Sequence, residues 1–222
     1  MPNLTLYLAN GSCAFVPHAV LLHFGIPHTI VPMKFGPEGI ESVDGTISHA
    51  DYLKIHHWGS VPALDVDGEI ITEGVAIVNY ISSLVPEANL FTNDEGIGRA
   101  RVAEWLNWLS GTLHGAGFGM MVRPRRFTDD PAAVELVQGK GEDLVGKCFT
   151  RIDTRLKDRD FAVGDALTVA DFYLYIFSRW GKELGFDMEA DYPNYVRLVC
   201  RLESEEGISK AIKAENLEFL YL

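Results

Sequence analysis

Residues 59–77, Gly59-Ser60-Val61-Pro62-Ala63-Leu64-Asp65-Val66-Asp67-Gly68-Glu69-Ile70-Ile71-Thr72-Glu73-Gly74-Val75-Ala76-Ile77, restrict the fold more than any other stretch of the chain. Asp67-Gly68 separates the β-prone runs 61–66 and 69–72, and both residues accept the positive φ that a tight primed turn demands, so a two-stranded hairpin is expected. Beyond it Val75, Val78, Ile81 and Val85 recur three or four residues apart, which predicts a helix over 73–84 with Thr72 as its capping hydroxyl and Glu73 in the first turn. Pro62 cannot donate to a strand ladder, so Val61-Pro62 reads as a bend and a candidate cis bond. A bend there leaves the N–H and C=O of Val61 for something extended, such as a peptide-like ligand. The negative end of that ligand would lie at the helix N-terminus by Glu73-Gly74, where backbone N–H groups point outward. An ordinary turn followed by a capped helix is the competing structural reading.

Upstream, Leu4-Thr5-Leu6-Tyr7-Leu8 is a strand, and a helix follows Asn10-Gly11-Ser12 on Phe15, Val16, Ala19, Val20 and Leu22 until Gly25-Ile26-Pro27 stops it. Residues 28–33 read as a second strand. A right-handed β-α-β crossover then sets the two strands side by side and brings the loop after the first one to the Val61-Pro62 bend. Between Phe35 and His57 only a short helix over 48–55 is plausible. Pro86, Asn89, Asn93 and Asp94 mark a linker over 86–96. Helices are expected over 98–118 and 131–157, and from Thr168-Val169-Ala170-Asp171, a capping-type box, through Trp180. The fold class is therefore an α/β, thioredoxin-like domain over 1–85, followed by an all-α helical-bundle domain over 97–222.

The formal net charge of −12 argues against nucleic acid or an anionic membrane as partner. No apolar run approaches the roughly 20 residues that span a bilayer, and no signal peptide is apparent, so a soluble, cytoplasmic protein is expected. Cys13, Cys148 and Cys200 stand far apart without paired metal-ligand spacing, so free thiols and no metal are expected.

The runs Ser60-Val61-Pro62-Ala63-Leu64 and Ile71-Thr72-Glu73-Gly74-Val75-Ala76-Ile77 resemble the glutathione-binding half of a glutathione S-transferase, most closely of the beta class. Leu167-Thr168-Val169-Ala170-Asp171-Phe172 is similar to the buried capping motif of that family's helical domain, and Trp105-Leu106-Asn107-Trp108 through His114 is similar to its beta-class stretch. The resemblance implies a dimeric, glutathione-dependent detoxification enzyme that joins the thiolate of glutathione to a small hydrophobic electrophile. Glutathione-dependent isomerisation, dehalogenation or thiol-disulfide exchange through Cys13, or a non-catalytic binding protein, remain alternatives on the same scaffold.

Residue by residue, Asn10-Gly11-Ser12-Cys13-Ala14-Phe15-Val16-Pro17-His18 resembles the family's Gly-Ala-Cys-Ser-Leu-Ala-X-His stretch and places Cys13 on its active-site cysteine. A thiol at a helix N-terminus is biased toward thiolate, whereas the bland reading is an inert buried cysteine. Ser12 replaces a family alanine, and its hydroxyl competes with Cys13 for the glutathione sulfur. Val16 stands where a dithiol enzyme would hold a resolving cysteine. The resemblance makes His114 a hydrogen-bond donor to the sulfur or a base. Asn107 and Ser110 would share a helical face with it, and His18 suits helix structure as readily as catalysis. Val61, Pro62, Glu73, Gly74 and Asn107 would bind glutathione. For its glycyl carboxylate only Lys34 lies near the expected basic position, with Pro37 and Glu38 closer to it, and Trp58 and Ser60 replace the family's Lys and Gln. Phe15, Phe118, Arg123 and Trp180, with Met120 and Met121, would line the second-substrate site at a cleft between the domains, or else serve as core and surface.

Overall fold

In the computed structural model, which describes residues 1–92 and 96–222, strand β1 (Leu4–Leu8), helix α1 (Phe15–His23) and strand β2 (Thr29–Phe35) form the expected unit. The two strands are parallel, with Leu6 opposite Ile30. The β-prone runs after Pro62 become β4 (Ala63–Val66) and β5 (Glu69–Thr72), an antiparallel hairpin turned at Asp67 (φ 52°) and Gly68 (φ 93°). The Asp65 carboxylate accepts the Gly68 N–H at 2.6 Å across that turn. Helix α3 (Gly74–Ser83) follows, burying Ile77, Val78 and Ile81.

Three local expectations change. The strand expected from Val61 begins at Ala63, beyond a cis Val61-Pro62 bond. Thr72 does not cap α3, because its register opposite Ala63 keeps it in the ladder. The turn into the helix is made at Glu73, which takes φ 69° and caps with no side-chain hydrogen bond. Between Phe35 and His57, α2 (His49–Ile55) forms as expected, with Ser48 Oγ accepting the Asp51 N–H at 3.1 Å. A further strand, β3 (Ile40–Ser42), pairs antiparallel with the end of β2. Three residues are too few for alternation to announce a strand. The sheet order is β3-β2-β1-β4-β5, the thioredoxin-like arrangement with one added edge strand.

Of the linker read over 86–96, Pro86–Ala88 is a single 3-10 turn followed by left-handed Asn89, whereas residues 93–95, with Asn93 and Asp94, lie outside the described residues. The helix expected over 98–118 is α4 (Ile97–Trp108) continued by a π-helical segment, Leu109–Phe118, and then by α5 (Gly119–Val122). Residues 131–157 form a short turn, Pro131–Ala133, and α6 (Val134–Arg155). After α7 (Val169–Glu183) come α8 (Met188–Asp191), α9 (Pro193–Glu203) and α10 (Glu206–Ala214). The box that opens α7 is formed in both directions, and its helix buries Phe172, Tyr175, Ile176 and Phe177.

Packing divides the chain into two compact units, Met1–Leu90 with Arg201–Leu222, and Phe91–Cys200. The end of the chain, read as part of the helical domain, thus packs with the thioredoxin-like residues, α10 lying against α1.

Candidate functional site

In the first unit the turn after β1 is fixed by its own backbone. The Ser12 N–H donates to Ala9 O at 3.1 Å, the Phe15 N–H to Ser12 O at 3.0 Å, and Gly11 takes φ 67°. Ser12 Oγ accepts the Ala14 N–H at 3.1 Å, which leaves its O–H as a donor. Cys13, two residues before the first residue of α1, is partly exposed, and its thiol donates to the Val61 carbonyl at 3.1 Å. The expectation that this carbonyl stands free is corrected: the crossover that aligns β1 with β2 also sets the Cys13 loop on the bend. A carbonyl oxygen has two lone pairs, so the same atom can take a further N–H, and whatever donates it lies beside the thiol.

Glu73 stands at the head of α3 with its left-handed backbone. Its carboxylate acts on His56, whose buried ring is pushed to lower pKa by burial, an effect that Glu73 opposes. His56 Nδ1 accepts the Trp58 N–H at 3.3 Å, and the Trp58 ring is exposed, 5.4 Å from that of His57. Tyr52 is buried under the bend and donates to Ser60 O at 2.8 Å. Lys34 lies opposite Glu41 in the β2–β3 pair, with 3.3 Å between their charges, so its ammonium is already matched by a carboxylate. Phe15, expected to line a substrate pocket, is corrected to a core residue: it faces inward from α1 and is fully buried.

One participant had no signal in the local sequence. Glu215, directly after α10, places Oε2 2.7 Å from the Gly11 N–H and Oε1 2.8 Å from His18 Nδ1, while its backbone carbonyl accepts from Asn10 Nδ2 at 2.8 Å. His18 thus has a buried carboxylate partner. Only the fold brings residues about 200 positions apart together, so no motif could have announced the contact.

In the second unit His114 sits within the π-helical segment and its carbonyl accepts the Gly119 N–H, five residues on. The single α-helical face expected for Asn107, Ser110 and His114 is therefore interrupted, since the wider winding turns the later residues away from α-helical register. Asn107 is exposed and donates from Nδ2 to Ala103 O at 2.8 Å. The His114 ring centroid lies 5.1 Å from Trp180 and 5.7 Å from Phe177, and Phe118 lies 5.2 Å from Trp180. Burial pushes the imidazole down to about 4, with the Arg123 and Arg126 charges adding to the shift. At neutral pH it is therefore an uncharged ring with one donor and one acceptor nitrogen. Trp180 is partly exposed, Phe118 is buried, and Arg123 follows α5 on the surface. Asp171 is fully buried, accepts from the N–H groups of Ala162 and Thr168 and from the Thr168 hydroxyl, and is pushed up to about 6 by burial.

Among the described residues no group of three His, Cys, Asp or Glu side chains is placed to hold a metal ion, and no helix is long and apolar enough to cross a membrane.

Two family models match the chain: "Glutathione S-transferase, N-terminal domain" over residues 2–83 and "Glutathione S-transferase, C-terminal domain" over residues 113–206. A relative from Escherichia coli O157:H7, the glutathione S-transferase GstA, is 29% identical over 96% of this chain and 99% of its own length. Among solved structures, a bacterial beta class glutathione S-transferase of Sphingomonas chungbukensis is 29% identical with a TM-score of 0.82, covering 96% of this chain and all (100%) of that one. A sphingomonad glutathione S-transferase complexed with glutathione is 28% identical with a TM-score of 0.81, over 96% of this chain and 100% of the other.

Proposed function

The chain belongs to the glutathione S-transferase family, and from that premise we propose that it is a glutathione transferase that joins the thiolate of glutathione to small apolar electrophiles. One observation carries the reading: the Cys13 thiol lies 3.1 Å from the Val61 carbonyl, the atom that would take the peptide N–H of an extended tripeptide. A cysteinyl residue held there has its own sulfur near Cys13 and the N-terminus of α1, where a sulfur anion is favoured.

The α-amino group of the γ-glutamyl end would pair with Glu73, and its carboxylate would accept from the N–H of Gly74 at the head of α3. The free O–H of Ser12 would donate to the thiolate. His114, neutral at working pH, would act as a neutral donor or as a base, not as a cation. Asn107 would contribute to binding, and Arg123 and Trp180 would receive the electrophile, with buried Phe118 packed behind Trp180. In the reaction the thiolate forms a carbon–sulfur bond, and the leaving group departs with the bonding pair, or an activated double bond takes up a proton. Lys34 would hold the glycyl carboxylate only after parting from Glu41, a contact worth little at so exposed a site. Pairing of two chains through the helical domain, a cytoplasmic location and a role in detoxification complete the proposal.

The partly exposed Cys13 thiol beside the ligand carbonyl favours a second reading, thiol-disulfide exchange. The Cys13 thiolate would attack glutathione disulfide, forming a mixed disulfide and releasing one glutathione thiolate. Retention on immobilised glutathione with turnover of 1-chloro-2,4-dinitrobenzene is the expected result for a transferase. Retention without turnover, with a glutathione adduct on Cys13 by mass spectrometry, selects exchange, and failure to be retained refutes both.

A further inference from the structure

Every polar acceptor of one buried residue is engaged by the segment that bears Cys13. Glu215 is 2% exposed. Its Oε2 takes the Gly11 N–H, its Oε1 the His18 ring, and its main-chain oxygen the Asn10 amide. Gly11 and His18 bracket Ser12 and Cys13 on both sides, so the carboxylate ties the start of the loop to the first turns of α1. Its own backbone is anchored, the Glu215 N–H donating to Ala211 O at 2.9 Å at the end of α10. Helix α10 is held close to α1 at Gly207, where a Cβ would collide with Ala19 O and His23.

A carboxylate removed from water is costly unless its oxygens are hydrogen-bonded. Satisfying it with a loop N–H and a helix side chain fixes the height of that loop over the sheet. We infer that Glu215 is a positioning residue for the Cys13 thiol: its two oxygens span Gly11 and His18 and so hold Sγ at the Val61 carbonyl. The inference rests on the reading of Cys13 as the residue that meets the glutathione sulfur.

What matters in this arrangement is reach rather than charge. Glu215→Gln keeps the length, an oxygen for the Gly11 N–H and an amide for His18. Glu215→Asp keeps the charge and is one methylene short of spanning both. The experiment is iodoacetamide alkylation of Cys13 in the full chain, read by peptide mass spectrometry from pH 6 to 9, with melting temperatures alongside. We expect E215D to slow Cys13 alkylation at pH 7 about tenfold, its pH midpoint shifting as Sγ leaves its place at the Val61 carbonyl, and E215Q to stay within about threefold of wild type with its midpoint unchanged. An Asp variant that alkylates at the wild-type rate, or a Gln variant slowed as much as Asp, overturns the inference. Should E215D fail to fold, His18→Asn removes the Oε1 partner and leaves that of Gly11: a several-fold slowing supports the inference and an unchanged rate overturns it. A wild-type protein without conjugating activity would refute the transferase reading and leave this order of alkylation rates intact.

Discussion

The sulfur of Cys13 meets the carbonyl oxygen of Val61 at 3.1 Å, joining a loop that leads into a helix to a bend that leads into a strand, 48 positions along the chain. That carbonyl can hold a ligand N–H and the thiol together, so sulfur chemistry and peptide binding share one atom. Cys13→Ala is expected to lower kcat/KM for conjugation at least tenfold, about 1.4 kcal/mol of transition-state stabilisation. Ser12→Ala is expected to lower it less, because it removes one hydrogen-bond donor to the sulfur and leaves the Cys13 thiol in place. Steady-state kinetics on both variants decide it, and the reverse order would move the sulfur role to Ser12.

Glu73 keeps a charged side chain on a backbone with φ 69°, a region that costs a non-glycine residue roughly 1–3 kcal/mol. Glu73→Gly should raise the melting temperature while weakening glutathione binding. Glu73→Gln should raise KM for glutathione about tenfold, the worth of one charge-assisted hydrogen bond, with little change in melting temperature. A Gln variant with wild-type KM would remove Glu73 from the binding site.

The imidazole of His114, held down to about 4 by burial and by Arg123 and Arg126, stays uncharged in the folded chain while in the unfolded chain it titrates near its ordinary value. The stability it contributes is complete above about pH 6.5 and is lost as pH falls toward 4, because the unfolded state binds the proton first. With the ring partly open to solvent, the loss at pH 5 is about 1 kcal/mol. Urea unfolding at pH 7 and pH 5 should show a smaller drop for His114→Gln than for wild type. Equal drops would place the proton on the folded ring.

Helices α5 and α6 meet at Gly141, where a Cβ would stand 2.5 Å from the Met121 nitrogen and 2.9 Å from Gly117 O. Both neighbours are backbone, so neither can swing aside. Gly141→Ala is expected to cost about 1–3 kcal/mol and to lower the melting temperature by on the order of 5 °C. The KM for glutathione should stay unchanged, because Gly141 touches none of the residues proposed to bind it. A melting temperature equal to wild type would refute the close approach.

Several features of the fold were legible because their causes lie within a few residues. Asp67-Gly68 announces its hairpin, Gly25-Ile26-Pro27 ends α1, and Thr168 and Asp171 cap α7 by reaching each other across a single turn. The site was legible in part for the same reason: a bend at Val61-Pro62, a thiol before a helix and an acid at the head of α3 are local signals. Where two local rules competed, the neighbours decided. Thr72 was equally fit to cap a helix or to end a strand, and pairing with Ala63 made it a strand residue.

The amino-acid order by itself determined which segments are strands and helices and which chemical groups the chain carries, because turn chemistry and apolar periodicity act between near neighbours. Only the tertiary structure decided which groups meet: Cys13 with Val61, Lys34 with Glu41, Glu215 with Gly11 and His18, and the π-helical winding around His114. The contacts of Cys13 and Glu215 close segments 48 and up to 204 positions apart, and a hydrogen bond reaching about 3 Å leaves no trace in a chain whose partners are so far apart along it, whereas Lys34 meets Glu41 through the register of a three-residue strand too short to announce itself.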